Sequence, residues 1–298
     1  MSYLLSFLLV LQIQMLLAMS LNMVLGYSGM ISMSHAAFMG LGAYAAALLA
    51  INFEVNILWG FLLAIVLSGI VAAVYGWVTM RLEGDTYILV SFSFQMVALE
   101  LMMRWSSLTK GVLGLRGIPR PEVFGVALTG LPGYFVLVTA ITLPVAAFMI
   151  YLGRSQFGLA IRGIREGARA MESLGRDTLR MKVVNFAVAG AVAGLAGGMY
   201  ASFLRFTHPG DYNLGVSILL LTYVLVGGIG NAWGAIAGTA VLVLMPQVLG
   251  FIPSIPNSLE GPLQAMLYGV VLMLVIWFKP AGLIPERPVV LAGKGGAQ

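Results

Sequence analysis

Few side chains in this sequence have the types and the spacing that chemistry requires. The two histidines, His35 and His208, lie on separate segments, and the chain has no cysteine. There is no acid pair and no glycine-rich loop ending in GKS or GKT, the loop that holds nucleotide phosphates. Covalent, acid–base and metal-assisted mechanisms need such groups close together. The sequence therefore predicts no catalytic residues, no metal site and no cofactor bound by this chain.

The densest group of charges lies in the sequence REGARAMESLGR, from Arg165 to Arg176, where five of twelve residues are charged. Helical spacing puts four of these charges on one face, at Arg165, Arg169, Glu172 and Arg176. The same spacing puts Ile164, Ala168 and Met171 on another face. Gly175 is a typical helix stop. The pattern predicts a short amphipathic helix within a polar loop of about residues 154–182, which either shields the ends of membrane spans or docks a partner.

Polar side chains flank two glycine-rich interruptions of otherwise apolar segments. The first interruption is the sequence GYSG at residues 26–29, and the second is GGIG at residues 227–230. Interrupted membrane helices leave backbone polar groups free to line a solute path. The candidate path-lining residues are Asn22, Ser28, Ser32, Ser34, His35, Asn231 and Trp233. For the serines the alternative is a hydrogen bond to their own helix backbone, and for His35 it is a packed, neutral position.

One acid, Glu100, falls within an apolar segment, where an unpaired carboxylate would be costly. Arg104 follows one helical turn later, at the spacing of a favourable ion pair. The sequence favours a Glu100–Arg104 pair near the outer interface over a proton-relay role.

The elements that must position these residues are membrane helices. The 298-residue chain is 60% hydrophobic and 9% charged, with a mean hydropathy of +0.98. Its uncharged stretches approach or exceed the roughly 20 residues that a helix needs to cross a bilayer. Division of the two longest stretches at their glycines predicts nine spans, near residues 3–25, 34–51, 57–80, 85–103, 132–153, 183–204, 214–228, 232–250 and 262–279. The expected fold is an all-α, polytopic transmembrane bundle of about 8–10 spans with glycine-broken helices, forming a single domain over residues 1–298.

Basic residues predict the orientation of the bundle. The loop at about residues 154–182 carries seven cations against three acids, so it should face the cytoplasm, and four crossings later the C-terminus returns to that side. The basic segment from Arg104 to Arg120 falls on the opposite side, against this rule. Either something stronger than charge bias holds that segment, or the span at 85–103 is wrong.

One predicted helix carries a strip of small residues that suits close packing. The strip consists of Gly190, Gly194 and Gly198, which recur every four residues. We expect these glycines to serve helix packing and no more.

Six stretches resemble permease subunits of ATP-binding cassette (ABC) importers, and in particular the LivM-type subunits of branched-chain amino acid importers. The sequence EGARAMESLG (166–175) is similar to the E-A-A…G loop of ABC importer permeases, with Gly167 at the first alanine position. The other stretches are LNMVLGYSGMISMSHAAFMGLGAYAAALLA (21–50), LTKGVLGLRGIPRP (108–121), RDTLRMKVVNFAVAGAVAGLAGGMYA (176–201), VGGIGNAWGAIAGTAV (226–241) and FKPAGLIPE (278–286). They resemble that family in the same order along nearly the whole chain.

The resemblance implies a multi-pass protein of the bacterial inner (cytoplasmic) membrane with a cytoplasmic C-terminus. Such a protein forms half of the path of an ATP-driven importer of branched-chain amino acids or of related small solutes, such as urea and short amides. The implied ATPase-coupling residues are Glu166, Ala168, Arg169, Ala170, Met171, Glu172, Ser173 and Gly175.

The implied partners are a second, LivH-like permease, two cytoplasmic subunits that bind the ATP, a periplasmic solute-binding protein and the lipid bilayer. Nucleic acid is not expected, because the basic residues lie between membrane spans. The alternative function is an ion-coupled secondary transporter, for which Glu100 is the candidate titratable group. An intramembrane enzyme is less well supported, since the sequence lacks a catalytic set.

Overall fold

Long apolar helices build almost all of the computed structural model, which describes residues 2–82, 84–123, 126–128, 130–249 and 257–286. In chain order the helices are α1 (Ser2–Asn22, continued by a π-helical turn over Met23–Tyr27), α2 (His35–Phe53), α3 (Ile57–Thr79), α4 (Asp85–Arg104), α5 (Ser106–Thr109), α6 (Leu131–Arg154), α7 (Gln156–Ser173), α8 (Thr178–Leu204), α9 (Leu214–Gly227), α10 (Ala232–Leu249) and α11 (Asn257–Phe278). Within the described ranges, eight helical segments are long and apolar enough to cross a membrane, and α10 adds a shorter apolar helix. The predicted all-α polytopic bundle of 8–10 spans is therefore confirmed.

The helix bounds agree with the predicted spans to within about two residues, except that α8 and α11 each begin five residues earlier, at Thr178 and Asn257. The side chain of Asp177 caps α8, because one carboxylate oxygen accepts a hydrogen bond from the backbone N–H of Arg180 at 3.0 Å. The predicted end of the 232–250 span falls on a residue outside the described ranges.

Among the residues that the structure describes, four two-residue strands form two small antiparallel ladders at one end of the bundle. Strand β1 (Leu115–Arg116) pairs with β4 (Phe206–Thr207), and β2 (Glu122–Val123) pairs with β3 (Val126–Ala127). Helix α8 starts beside α7, and β4 follows directly after its other end. The β1–β4 ladder therefore marks the end of the bundle opposite α7. At 27 residues, α8 is about 40 Å long. We call the two ends the α7 end and the far end.

The basic segment from Arg104 to Arg120 goes against the expectation that basic loops face the cytoplasm. It lies at the far end, as the predicted span at 85–103 requires. Its backbone is held by the β1–β4 ladder and by two hydrogen bonds between Asn56 and the backbone of Glu122. The guanidinium of Arg116 lies 5.8 Å from the ring centre of Phe206. Backbone pairing and cation–π contact therefore hold this segment.

The predicted glycine strip lets α8 pack closely against α2 and α3. A methyl group added at Gly194 would come closer than 3.0 Å to the Ser68 side chain and to the Ala64 carbonyl of α3. Gly194 also lies against Gly42 of α2, so three backbones meet there. Of the other two glycines in the strip, Gly190 faces α3 at Ala72, and Gly198 faces Ala46 and Phe61. Close backbone approach of this kind drives helix association in membranes.

Replacement of glycine by alanine should have opposite effects inside and outside this strip. Gly194→Ala should destabilise the bundle by about 1–3 kcal/mol, because the added methyl overpacks a rigid contact. Gly269→Ala, on α11, is the matched control, since a methyl there meets nothing within 4 Å. That variant should be neutral or stabilising by up to about 1 kcal/mol. Thermal unfolding of both variants in detergent is the measurement, and equal melting temperatures would contradict the packing role.

Candidate functional site

The first glycine break begins with a π-helical turn at the end of α1. Asn185 of α8 holds this turn, because its side-chain amide donates a hydrogen bond to the Met23 carbonyl at 2.8 Å. Such turns within α-helices recur at functional sites. Gly29 then adopts a φ of +72°, and residues 29–34 continue without regular structure into the bundle.

Helix α2 starts inside the bundle, where its first N–H groups need partners other than water. The N–H of Ala36 donates to the Ser217 hydroxyl of α9 at 3.0 Å, and the N–H of Ala37 donates to Gln95 Oε1 of α4 at 2.8 Å. The amide of Gln95 also donates to the Tyr212 carbonyl at 2.7 Å. Irregular backbone is tolerated at membrane depth only where protein satisfies it in this way.

The second glycine break meets the first at the α7 end. The N–H of Gly230 donates a hydrogen bond to the side-chain oxygen of Asn22 at 2.9 Å. Gly228 and Gly230 have φ values of +122° and +79°, the left-handed region that glycine adopts most readily. The two breaks that the sequence marked separately therefore form one structural unit.

The segment after α11, residues 279–286, closes over the second break. The N–H groups of Leu283 and Ile284 donate to the carbonyls of Val226 and Gly227, both at 2.9 Å. These bonds satisfy carbonyls that the end of α9 leaves free. Asn231 adds a side-chain bond to the Pro285 carbonyl at 3.3 Å.

Two arginines of α7 and one carboxylate connect α7 to both breaks. Arg165 Nη2 lies 2.9 Å from Glu286 Oε2, and Arg162 Nε lies 3.0 Å from Glu286 Oε1. The same arginines donate to break carbonyls, Arg165 to Gly26 and Arg162 to Gly230, the latter at 3.1 Å. We call Arg162, Arg165 and Glu286 the ion-pair cluster.

The ion-pair cluster is largely withdrawn from solvent, with side chains between 20% and 25% exposed. Burial alone would lower the pKa of Arg165, but its hydrogen bonds to Glu286 and to Glu166 outweigh burial and raise that pKa. The guanidinium of Arg165 therefore stays charged. Arg162 also lies over the Tyr27 ring, 4.5 Å from its centre.

Helix α7 is bent, which corrects the predicted arrangement of its charges. Gly167 has an extended backbone (φ −173°, ψ 89°) and divides α7 into two helical pieces. Arg165 and Arg169, predicted to share one face, therefore separate. Arg165 turns inward to the ion-pair cluster, and Arg169 is exposed. The prediction assumed an unbroken helix and was wrong for this face.

Helix α7 ends where the sequence predicted. Gly175 has a φ of +78°, its N–H bonds to the Glu172 carbonyl, and the N–H of Arg176 bonds to the Met171 carbonyl. These two bonds form the glycine-terminated cap known as a Schellman motif.

The eight candidate coupling residues divide into an exposed set and a packed set. The exposed residues are Glu166, Arg169, Ala170, Glu172, Ser173 and Gly175. Ala168 and Met171 are half-buried and pack against the core. The exposed set gives α7 a contiguous outer surface beside its glycine cap.

The seven candidate path residues fall into three places. Asn22 and Asn231 lie where the breaks meet, and Asn231 and Trp233 line a cleft of about 460 Å³ at the α7 end. The Ser28 hydroxyl donates a hydrogen bond to the Val24 carbonyl of its own helix, which is the alternative that the sequence offered for the serines. Ser32, Ser34 and His35 lie together at the buried start of α2, with the two serine hydroxyls 2.9 Å apart. His35 packs edge-to-face against Phe186 at 6.3 Å.

The acid that the sequence singled out in a membrane segment is paired. Glu100 Oε2 lies 2.7 Å from Arg104 Nε, one turn along α4 at the far end, and both side chains are exposed. This geometry is the predicted ion pair. Within the described ranges, no group of three histidine, aspartate or glutamate side chains is placed to hold a metal.

Reasoning from the sequence missed the ion-pair cluster. Arg162 and Glu286 are 124 residues apart, and no local pattern joins them. The one available signal was Glu286, the lone acid of the segment FKPAGLIPE just after the last span.

Comparison with known proteins points to one family. Residues 3–276 match the model of the family described as the permease component of the branched-chain amino acid transport system. The chain is 27% identical to the high-affinity branched-chain amino acid transport system permease protein LivM of Escherichia coli (strain K12), over 96% of this chain and 71% of that protein. It is 26% identical to the LivH permease of the same organism, over 92% of each chain.

A shorter match extends to another solute. The guanosine ABC transporter permease protein NupQ of Bacillus subtilis (strain 168) is 32% identical over 41% of this chain and 37% of that protein. No solved structure matches the chain.

The polar contacts at the start of α2 can be tested by one substitution and a neighbouring control. Gln95→Leu removes the hydrogen bonds to Ala37 and Tyr212 and leaves buried backbone groups unsatisfied, which should cost about 1–3 kcal/mol of stability. Ser93→Ala is the control, because that hydroxyl bonds only to its own helix at Leu89 and is exposed. Its effect should stay within about 0.5 kcal/mol. Comparable thermal stability of the two variants would refute the role given to Gln95.

Proposed function

This chain belongs to the family of permease components of branched-chain amino acid transport systems, and we propose that it forms half of the solute path of an ATP-driven importer. It is a multi-pass membrane protein of the ABC permease type. The family is one of transporters rather than enzymes.

The observation that carries the proposal is the contact between α7 and both helix breaks. A soluble ATPase can move a membrane path only through a surface that it touches and a rigid connection inward. The outer face of α7 offers the surface, with Glu166 73% exposed, and the neighbouring Arg165 reaches inward to the carbonyl of Gly26. Arg162 makes the equivalent bond to Gly230 in the second break. Displacement of α7 would therefore displace both breaks together.

The proposed partners follow from the family and from the two ends of the bundle. Two cytoplasmic ATP-binding subunits supply the ATP, and this chain's ATPase docks on the exposed coupling residues of α7. A second, LivH-like permease completes the path, and a periplasmic solute-binding protein delivers solute at the far end. This arrangement places the α7 end and the segment 279–286 in the cytoplasm and the protein in the bacterial inner membrane.

The proposed solutes are branched-chain amino acids or related small solutes, a range that includes urea and short amides. The LivM and LivH relatives are named for branched-chain amino acids and the NupQ relative for guanosine. The ion-coupled alternative rested on Glu100, and the exposed Glu100–Arg104 pair at the far end gives it no support.

Docking on α7 predicts a specific crosslink. The native chain has no cysteine, so Ser173→Cys places a single thiol on the exposed part of α7. With the whole transporter expressed in membranes, a thiol crosslinker should join this thiol to an ATPase subunit. Ser107→Cys, exposed at the far end, is the matched control and should give no such product. Absence of a product from an accessible thiol at residue 173 would reject the docking role.

Two substitutions on α7 should uncouple transport without removing the permease from the membrane. Glu166→Lys reverses an exposed charge beside Arg165, and Gly175→Leu forces a bulky residue into a backbone with positive φ, at about 1–2 kcal/mol. Both should lower uptake while the amount of permease in the membrane stays at the wild-type level. Uptake unchanged in both variants would count against coupling through α7.

Transmission of the movement of α7 through the ion-pair cluster predicts that substitution of Glu286 uncouples transport. Glu286→Gln keeps the size of the side chain but removes the charge that both arginines share. Charge-assisted hydrogen bonds of this kind contribute about 1.5–3 kcal/mol, or about ten- to a hundred-fold in the population of the coupled conformation. In reconstituted vesicles, ATP hydrolysis should persist while solute uptake per ATP falls.

The control for this variant is Glu100→Gln, which removes one partner of the exposed pair at the far end. Exposed pairs contribute about 0–1 kcal/mol, so uptake per ATP should change little. Equal coupling in the two variants would show that the ion-pair cluster does not transmit the movement.

A further inference from the structure

The cleft beside the ion-pair cluster presents cationic and aromatic side chains together. Its 460 Å³ are lined in part by Tyr27, Ile150, Arg154, Arg162, Trp233 and Glu286. Arg154 is the last residue of α6, Trp233 is the second residue of α10, and Tyr27 ends the π-turn after α1. Because three apolar helices end here, the cleft lies at the level where the bilayer meets water.

The charges of the cleft do not balance within the described part of the chain. Arg162 and Arg165 share the single carboxylate of Glu286, and the further partner of Arg165, Glu166, points to solvent. Arg154 makes neither an ion pair nor a hydrogen bond with any described residue. The lining of the cleft therefore carries two guanidiniums, Arg154 and Arg162, against the single carboxylate of Glu286, which Arg165 also contacts.

The mouth of the cleft continues into an apolar surface at membrane depth. Trp233 is 52% exposed, as expected for a tryptophan at the headgroup level. On α6, Tyr151 and Phe148 precede Arg154 at three-residue spacing, so the three form one stripe along the helix. Tyr151 is 71% exposed and Phe148 is 50% exposed. A ligand with its charge at Arg154 would have an apolar surface directly along the helix for a hydrocarbon chain.

We propose that this cleft binds the phosphate headgroup of an anionic phospholipid, with Arg154 and Arg162 contacting the phosphate and the acyl chain lying along the α6 stripe. Basic pockets between membrane helices bind such headgroups. The bound lipid would bridge the end of α6 and the start of α10 beside the ion-pair cluster. The proposal requires only that the α7 end lies at one face of a bilayer, and it does not depend on docking of an ATPase.

The test compares lipid-dependent stability in nanodiscs that contain the full-length chain. Phosphatidylglycerol, added in increasing fractions to phosphatidylcholine discs, should raise the melting temperature of the wild-type protein by about 2–4 °C, the shift that about 1 kcal/mol gives a chain of this size. Native mass spectrometry should find phosphatidylglycerol retained on the protein. Arg154→Gln should lose most of the shift and of the retained lipid, and Arg154→Lys should keep most of both.

The matched control is Arg176→Gln, an exposed arginine just after α7 that does not line the cleft. It should keep the wild-type shift, which separates a defined site from general attraction to a charged surface. If Arg154→Gln does not fold, the wild type, Arg154→Lys and Arg176→Gln should still retain phosphatidylglycerol in preference to phosphatidylcholine, and failure of the wild type to do so would overturn the proposal.

Three results would overturn the proposal. The first is a wild-type melting temperature that does not respond to phosphatidylglycerol. The second is an equal response in Arg154→Gln and Arg176→Gln. The third is a full shift from soluble glycerol phosphate in phosphatidylcholine discs, which would assign the cleft to a free phosphate rather than to a lipid. None of these readouts involves transport, so they leave the coupling role of α7 to its own tests.

Discussion

The need to satisfy backbone polar groups without water determines much of this structure. An unbroken helix satisfies its own N–H and C=O groups, but α1 and α9 both end in glycine-rich breaks that leave such groups free inside the bundle. Each break is therefore supplied with partners from elsewhere in the chain. Gln95 serves the start of α2, Asn185 serves the π-turn, and Asn22 serves Gly230. Three buried polar side chains of the apolar core are thus used at these interruptions.

The same requirement explains why two arginines reach the breaks from α7. The carbonyls of Gly26 and Gly230 need donors, and a guanidinium offers several in a fixed plane. A buried cation in turn needs an anion, and Glu286 provides one for both arginines. The hydrogen bonds that satisfy the backbone at the breaks thus bring four parts of the chain into one cluster. These are α1, α7, the second break between α9 and α10, and the segment 279–286. In the coupling that we propose, these same contacts are the mechanical link.

Local sequence patterns predicted the parts of the fold that depend on local physics. Hydropathy gave the spans, the glycines gave the breaks, and Gly175 gave the end of α7, because each follows from neighbours in sequence. The bend at Gly167 was not predicted, since that glycine is compatible with a helix until contacts pull Arg165 inward. The pairing of Arg162 with Glu286 was beyond any local pattern, as was the ladder that holds the basic far-end segment. Long-range pairing decided those features.

The partial exposure of the ion-pair cluster suits a link that must move. A fully buried ion pair costs about 3–5 kcal/mol to break, which would hold α7 in one position. A fully exposed pair contributes about 0–1 kcal/mol and would transmit little force. At 20–25% exposure, the side chains of Arg162, Arg165 and Glu286 lie between these limits. Because each arginine also holds a break carbonyl, the coupling that we propose requires both breaks to rearrange when the cluster exchanges its partners, so that movement of α7 and opening of the bundle would be a single event.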